Sequence, residues 1–140
     1  MTDPKPAIKK QSPYVRAGRP APTEVRVLTE EKAFEIDYAD GQRFRFTAEF
    51  LRVQSPSAEV QGHGPSQRQV VPGKRDVGFV GAEPIGHYAI RLKFDDGHDS
   101  GIFSWDYFYE FGVRHDEVWR RYLEELELNG MTRDPAGYRH

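Results

Sequence analysis

The chain has 140 residues, 20 basic side chains against 22 acidic ones for a formal net charge of −2, and no cysteine. That length is one ordinary domain, and the near-neutral charge offers no basic surface to displace counterions from nucleic acid or to bind an anionic membrane. Without cysteine there is no disulfide framework, no thiolate nucleophile, no Cys-ligated zinc and no protein-held iron–sulfur cluster.

Residues 1–22 carry Pro4, Pro6, Pro13, Pro20 and Pro22 with five basic residues against a single acid, Asp3. Such a segment forms no helix and buries no face, so it reads as a disordered, basic, proline-rich tail. It also lacks the hydrophobic stretch of a signal peptide. Since no apolar run anywhere approaches the roughly 18 residues of a membrane span, the expected location is the cytoplasm.

The folded domain is expected over residues 23–130. It opens with "TEVRVL" and "FEIDYADGQRFRF", where Phe34, Ile36 and Tyr38 alternate before Asp40-Gly41, and Phe44 and Phe46 alternate after it. This is a β-hairpin. A two-residue loop would send the two apolar sets to opposite faces. A three-residue loop, Ala39-Asp40-Gly41, instead pairs Tyr38 with Gln42, Ile36 with Phe44 and Phe34 with Phe46, and sets Gly41 at the left-handed position. The pattern returns in "AIRLKFDDGHDSGIF", a degenerate internal repeat. The same loop there pairs Phe94 with His98, Leu92 with Ser100 and Ile90 with Ile102, and turns His98 toward the apolar face.

A short helix follows each hairpin, with Thr47 and Ser104 as N-caps and Gly112 as a stop for the second. In "DEVWRRYLEELELNG", Val118, Trp119, Tyr122, Leu123 and Leu126 form one stripe and Glu117 stands four residues before Arg121. That is an amphipathic helix ending near Asn129-Gly130, after which residues 131–140 are expected to fray. The connection between the hairpins is long and rich in glycine and proline. Its strand signals are Gln69–Val71 and Val77–Val80, the rest being loop. The fold class is α+β: antiparallel hairpins, short helices and a C-terminal amphipathic helix.

Asp95, Asp96, His98 and Asp99 could hold a divalent metal, but Asp-Asp-Gly is also ordinary turn chemistry, and the turn is preferred. His115 and Glu117 have the His-x-Glu spacing of non-haem iron sites, at a helix start where acids are expected anyway. Gly73-Lys74 lacks the remaining residues of a phosphate-binding loop. Ser55, Ser57, Ser66 and Ser104 have no triad partners at a defensible spacing. Recognition therefore falls on the irregular connection, with Arg52, His63, Lys74, Arg75 and Asp76 as candidate binding residues whose side chains are expected to be free.

The stretches "DYADGQRFRFTAEFLRVQSPSAEVQGHGP", "GKRDVGF" and "GHYAIRLKFDDGHDSGIFSWDYFYEFG" resemble, over about residues 23–113, a bacterial family of domains of unknown function. That family is similar in turn to the N-terminal domain of gamma-butyrobetaine hydroxylase. In the hydroxylases that domain holds a structural zinc through a Cys-x-Cys-x-x-Cys run and one histidine. The resemblance places Ser55, Ser57 and Val60 at the cysteine positions and His98 at the histidine, a degenerate zinc site in which hydrogen bonds replace the metal.

The hydroxylase reaction belongs to a separate oxygenase domain, so no catalytic residue and no cofactor are implied. Some relatives join a similar domain to Mrp-type carriers of iron–sulfur clusters. The resemblance thus implies a non-enzymatic interaction or accessory module with a protein partner, iron–sulfur assembly machinery being one candidate. The alternative is a zinc-binding domain centred on His98.

Overall fold

In the computed structural model, residues 20–56 and 69–135 are described. Three strands, β1 (Pro22–Leu28), β2 (Ala33–Tyr38) and β3 (Arg43–Thr47), form an antiparallel sheet in that order and lead into helix α1 (Ala48–Val53). A second sheet, β4 (Phe79–Ile85), β5 (Ala89–Phe94) and β6 (Gly101–Ser104), leads likewise into α2 (Trp105–Val113), and α3 (His115–Leu128) follows. The fold is α+β, and each half repeats the same β-β-β-α unit.

The repeat extends to individual hydrogen bonds. Gly41 N–H donates to the Tyr38 carbonyl at 3.0 Å and Gly97 N–H to that of Phe94 at 3.1 Å. Both glycines have φ near +90°, which a side chain would strain. Tyr38 N–H donates to Gln42 and Phe94 N–H to His98, each at 2.9 Å. The Thr47 and Ser104 hydroxyls cap their helices by accepting from Phe50 and Tyr107 N–H. The expected register of the first hairpin is present, with Ile36 opposite Phe44 and Phe34 opposite Phe46.

The second hairpin departs from expectation. Leu92 faces Gly101 and Ile90 faces Phe103, one residue beyond the expected Ser100 and Ile102. Asp99 and Ser100 together stand across from Lys93, so the strand carries a bulge and its faces are exchanged. Packing rewards the slip. Phe103 becomes fully buried and stacks on Phe108 at 5.7 Å, while Ile102 stays half-buried.

Residues 79–85 form a full strand, not the expected fragment and loop. β4 lies at the edge of its sheet, where Gly81 and Pro84 interrupt no inner ladder. Residues 69–71 are not a strand. At the first boundary, Ala21 accepts from Ala39 N–H and Pro22 pairs with Tyr38, so these two belong to the sheet and not to the tail. Residues 1–19 of that tail lie outside the described residues.

Both sheets share one core. Phe108 of α2 stacks on Phe34 of the first sheet at 4.4 Å and on Phe103 of the second. The Tyr38 hydroxyl donates to the Trp105 carbonyl at 2.6 Å. A smaller cluster joins Val53, Tyr122 and Leu126 with Val70, Val71 and Trp119, and the Tyr122 hydroxyl donates to the Val71 carbonyl. Leu123, placed on the apolar stripe by periodicity, is exposed. Gly112 lies inside α2, whose last residue is Val113.

Candidate functional site around the Asp95–His98 turn

The two equivalent turns differ in what they hold. In the first, Asp40 accepts from Gln42 N–H through one oxygen and from the exposed Tyr109 hydroxyl through the other. In the second, Asp96 Oδ1 accepts from His98 N–H at 3.1 Å, while Oδ2 accepts from Arg52 Nε at 2.7 Å and Lys74 Nζ at 2.6 Å. One carboxylate thus ties the end of α1 and the inter-hairpin connection to a β-turn. Burial alone would raise its pKa. The hydrogen bonds from Lys74, His98 and Arg52 outweigh that penalty and bring it down to about 2, so Asp96 is ionised at neutral pH.

Arg52 is buried, 3% exposed, on a six-residue helix in which every residue is buried. Its expected freedom is corrected: a guanidinium taken out of water needs a carboxylate, and Asp96 supplies one. Lys74 and Arg75 are not free either. Lys74 pairs with Asp96, and Arg75 Nε donates to Asp134 at 2.5 Å. Asp76 is exposed, and its carbonyl accepts from Lys32 Nζ at 2.9 Å. His63, Ser57, Val60 and Ser66 lie outside the described residues. Of the five candidate binding residues, Arg52 and Lys74 meet at Asp96, while Arg75 and Asp76 follow along the same connection.

His98 is buried as expected, 6% exposed, with its ring 5.8 Å from that of Phe94. Its Nε2 lies 3.0 Å from the fully buried Ser55 hydroxyl, which joins α1 to the turn by a hydrogen bond. Gly101 makes this approach possible, since a Cβ there would stand 2.6 Å from Ser55 Oγ. A serine hydroxyl and one imidazole do not match the thiolate-rich set that structural zinc takes. No group of three or more His, Cys, Asp or Glu that could hold a metal occurs among the described residues. His115 and Glu117 diverge: the His115 ring stacks on Phe50 at 4.6 Å, whereas Glu117 pairs with Arg114 and Arg121.

Residues 131–135, expected to fray, instead dock on the connection. Gly73 N–H donates to the Thr132 carbonyl at 2.9 Å and Arg75 N–H to that of Arg133 at 3.0 Å. Arg133 forms a bidentate pair with Glu49, at 2.8 and 2.7 Å, and lies 5.3 Å over the Trp119 ring. The hydrogen bonds that Arg133 donates to the Glu49 carboxylate raise its pKa further. Sequence reasoning missed Glu49, Trp119, Arg133 and Asp134. Glu49 and Arg133 stand 84 positions apart, and no local pattern links them.

Residues 25–109 match the family described as "Gamma-butyrobetaine hydroxylase-like, N-terminal". The chain belongs to that family. Two solution structures determined by NMR are similar to it, each with a TM-score of 0.73. One is 48% identical over 86% of this chain and 95% of its own, the other 35% identical over 90% and 97%. A crystal structure of a protein of unknown function from Acidithiobacillus ferrooxidans ATCC 23270, of the DUF971 family, is 42% identical with a TM-score of 0.55. It covers 65% of this chain and 91% of its own. No curated protein matches the chain. The family is thus one of unknown function, and no helix among the described residues is long and apolar enough to cross a membrane.

Proposed function

We propose that this domain is a non-catalytic interaction module that recognises a protein partner through the 69–78 connection and the adjoining Asp95–His98 turn. One observation carries the reading: Asp96 is shared by Arg52 and Lys74. A segment with neither strand nor helix over residues 69–78 is thereby tied to a rigid turn by the Lys74–Asp96 ion pair. Fixing a polar loop in advance lowers the ordering cost of binding, which is how loops on stable scaffolds serve recognition. Burying Arg52 carries a desolvation penalty that an apolar residue would avoid, so its presence favours a specified loop shape over raw stability. Family resemblance makes iron–sulfur assembly machinery the first partner class to try.

The test is affinity capture from the source cell, with the parent and the Lys74→Ala/Arg75→Ala variant as baits. Both pairs are at least partly solvated, so their loss costs about 1 kcal/mol each or less and the variant stays folded. Recovery of a specific partner by the parent, with clear loss on the variant, is the expected result. Equal recovery by the two baits would place recognition elsewhere.

A further inference from the structure

The strongest unexplained feature is the company kept by Thr132, Arg133 and Asp134. Glu49 lies in the first turn of α1 with a side chain only 5% exposed, and a carboxylate so placed demands a cation. The guanidinium that answers it comes from outside the helices and sheets. It is held by a fork of two hydrogen bonds below and the Trp119 face beside it, a slot shaped for arginine and poorly matched to lysine. One residue on, Asp134 meets Arg75. The main chain between is bound as well, since Gly73 and Arg75 N–H donate to the carbonyls of Thr132 and Arg133. Gly73 lies beside Pro135 and takes φ +76°, a left-handed conformation that favours glycine.

The segment bends at Arg133 and Asp134, where Thr132 Oγ1 accepts from Asp134 N–H at 3.3 Å. Backbone bonds to such a segment, one charged slot for a side chain and a counter-charge for the next are enough for a groove to read a peptide. All the receiving groups belong to α1, α3 and the connection. We infer that this groove is a receptor for a bent segment of a partner protein carrying an Arg-Asp pair, and that residues 132–134 occupy it as an internal competitor. The inference rests on the interaction-module reading and names the chemistry of its partner. The tether suits this role. α3 ends at Leu128, and Gly130, at φ +66°, turns the chain through hydrogen bonds from Gly130 to Glu127 and from Met131 to Leu126. Four residues from Leu128 to Thr132 reach at most about 14 Å. A second copy could deliver its own segment only by bringing its α3 end against the groove, whereas a free peptide segment of a partner meets no such restriction. A short tether gives an effective concentration on the order of millimolar, so only a partner that adds contacts beyond the pair displaces it.

The experiment uses the full chain with Arg133→Ala/Asp134→Ala, its folding checked by near-ultraviolet circular dichroism. The probe is a fluorescein-labelled peptide of residues 129–137, Asn-Gly-Met-Thr-Arg-Asp-Pro-Ala-Gly, followed by anisotropy. Saturable binding to the variant is expected, with roughly tenfold or weaker binding to the parent. A similar loss is expected when the peptide arginine is alanine or when Glu49→Gln is added to the variant. Should the double variant fail to fold, Arg133→Gln takes its place with the same readout. Absence of saturable binding to a folded variant, or binding indifferent to the arginine, overturns the inference. So does a parent dimer in sedimentation that Arg133→Ala abolishes, because a second copy would then be the occupant. No cellular partner enters this titration. A failed titration alongside successful Lys74/Arg75-dependent capture would therefore leave the interaction module standing.

Discussion

Ser55 Oγ and His98 Nε2 lie 3.0 Å apart in a buried contact that links helix α1 to the turn between β5 and β6. Removing one side of a buried hydrogen bond leaves the other side desolvated, at a cost of about 1–3 kcal/mol. Ser55→Ala should lower stability to denaturant by that amount. Any zinc in the purified protein should be substoichiometric, and added zinc should hardly move the melting temperature, because a native-state ligand stabilises by mass action. One tightly held zinc per chain, lost on His98→Ala, would promote the zinc-binding alternative.

Asp96 sets an acid limit on the domain. Its carboxyl is depressed from 3.8 to about 2 in the folded state, so the folded state binds fewer protons than the unfolded chain between those values. The stabilisation is fully present above pH 4 and is lost as pH falls toward 2. Solvent around the turn reduces the nominal two-unit effect to about 1–2 kcal/mol. Asp96→Asn should flatten the stability profile between pH 4 and 2 and, by taking a carboxylate from buried Arg52, destabilise at neutral pH by about 3 kcal/mol. An unchanged acid profile in urea titrations would show that Asp96 is not the group responsible.

The charge ladder on the outer face of the first sheet is a contrasting case. Arg26 bonds Glu35 and Asp37, and Arg45 bonds Glu31 and Glu35. Hydrogen bonds from Arg26 are the chief cause of the lowered pKa values of Glu35 and Asp37. These groups remain in contact with solvent, and pairs of this kind contribute little and are screened by salt. Raising ionic strength at pH 7 should therefore change the melting temperature little, and Arg45→Ala should stay near the parent. A steep fall in stability with salt would show that the ladder is structural.

What the sequence revealed and what it hid divide along the range of the forces involved. The register of the first hairpin was legible because a three-residue loop leaves one way to put Phe34, Ile36, Phe44 and Phe46 on one face. In the second hairpin the same logic placed Phe94 opposite His98, then lost the register at Asp99-Ser100. The bulge there is selected by Phe103 packing on Phe108, a contact no loop rule contains. β4 was hidden by Gly81 and Pro84, which only an edge position tolerates. The docking of Arg133 on Glu49, and of Arg52 on Asp96, joins single charged residues far apart in the chain. Read alone, each resembles an ordinary surface charge.

Gly112 was expected to stop α2, and the helix instead runs one residue beyond it. Its backbone has no positive φ, so conformational freedom does not explain the residue. Space does: a Cβ at 112 would lie 2.4–2.6 Å from three ring atoms of Phe44, nearer than side chains approach. Phe44 is itself fixed edge-on against Tyr38 and Tyr109, so its ring cannot swing aside without opening both contacts. In a free helix Gly→Ala stabilises by about 1 kcal/mol. Here overpacking should reverse the sign, and Gly112→Ala should destabilise by about 1–3 kcal/mol. Phe44→Ala, which removes the three ring atoms the new methyl meets, should be destabilising alone yet recover part of the loss in the double variant, giving a coupling of about 1 kcal/mol in a denaturation cycle. Additive single effects, or an alanine that stabilises, would show that the β3–α2 packing yields more readily than these distances imply.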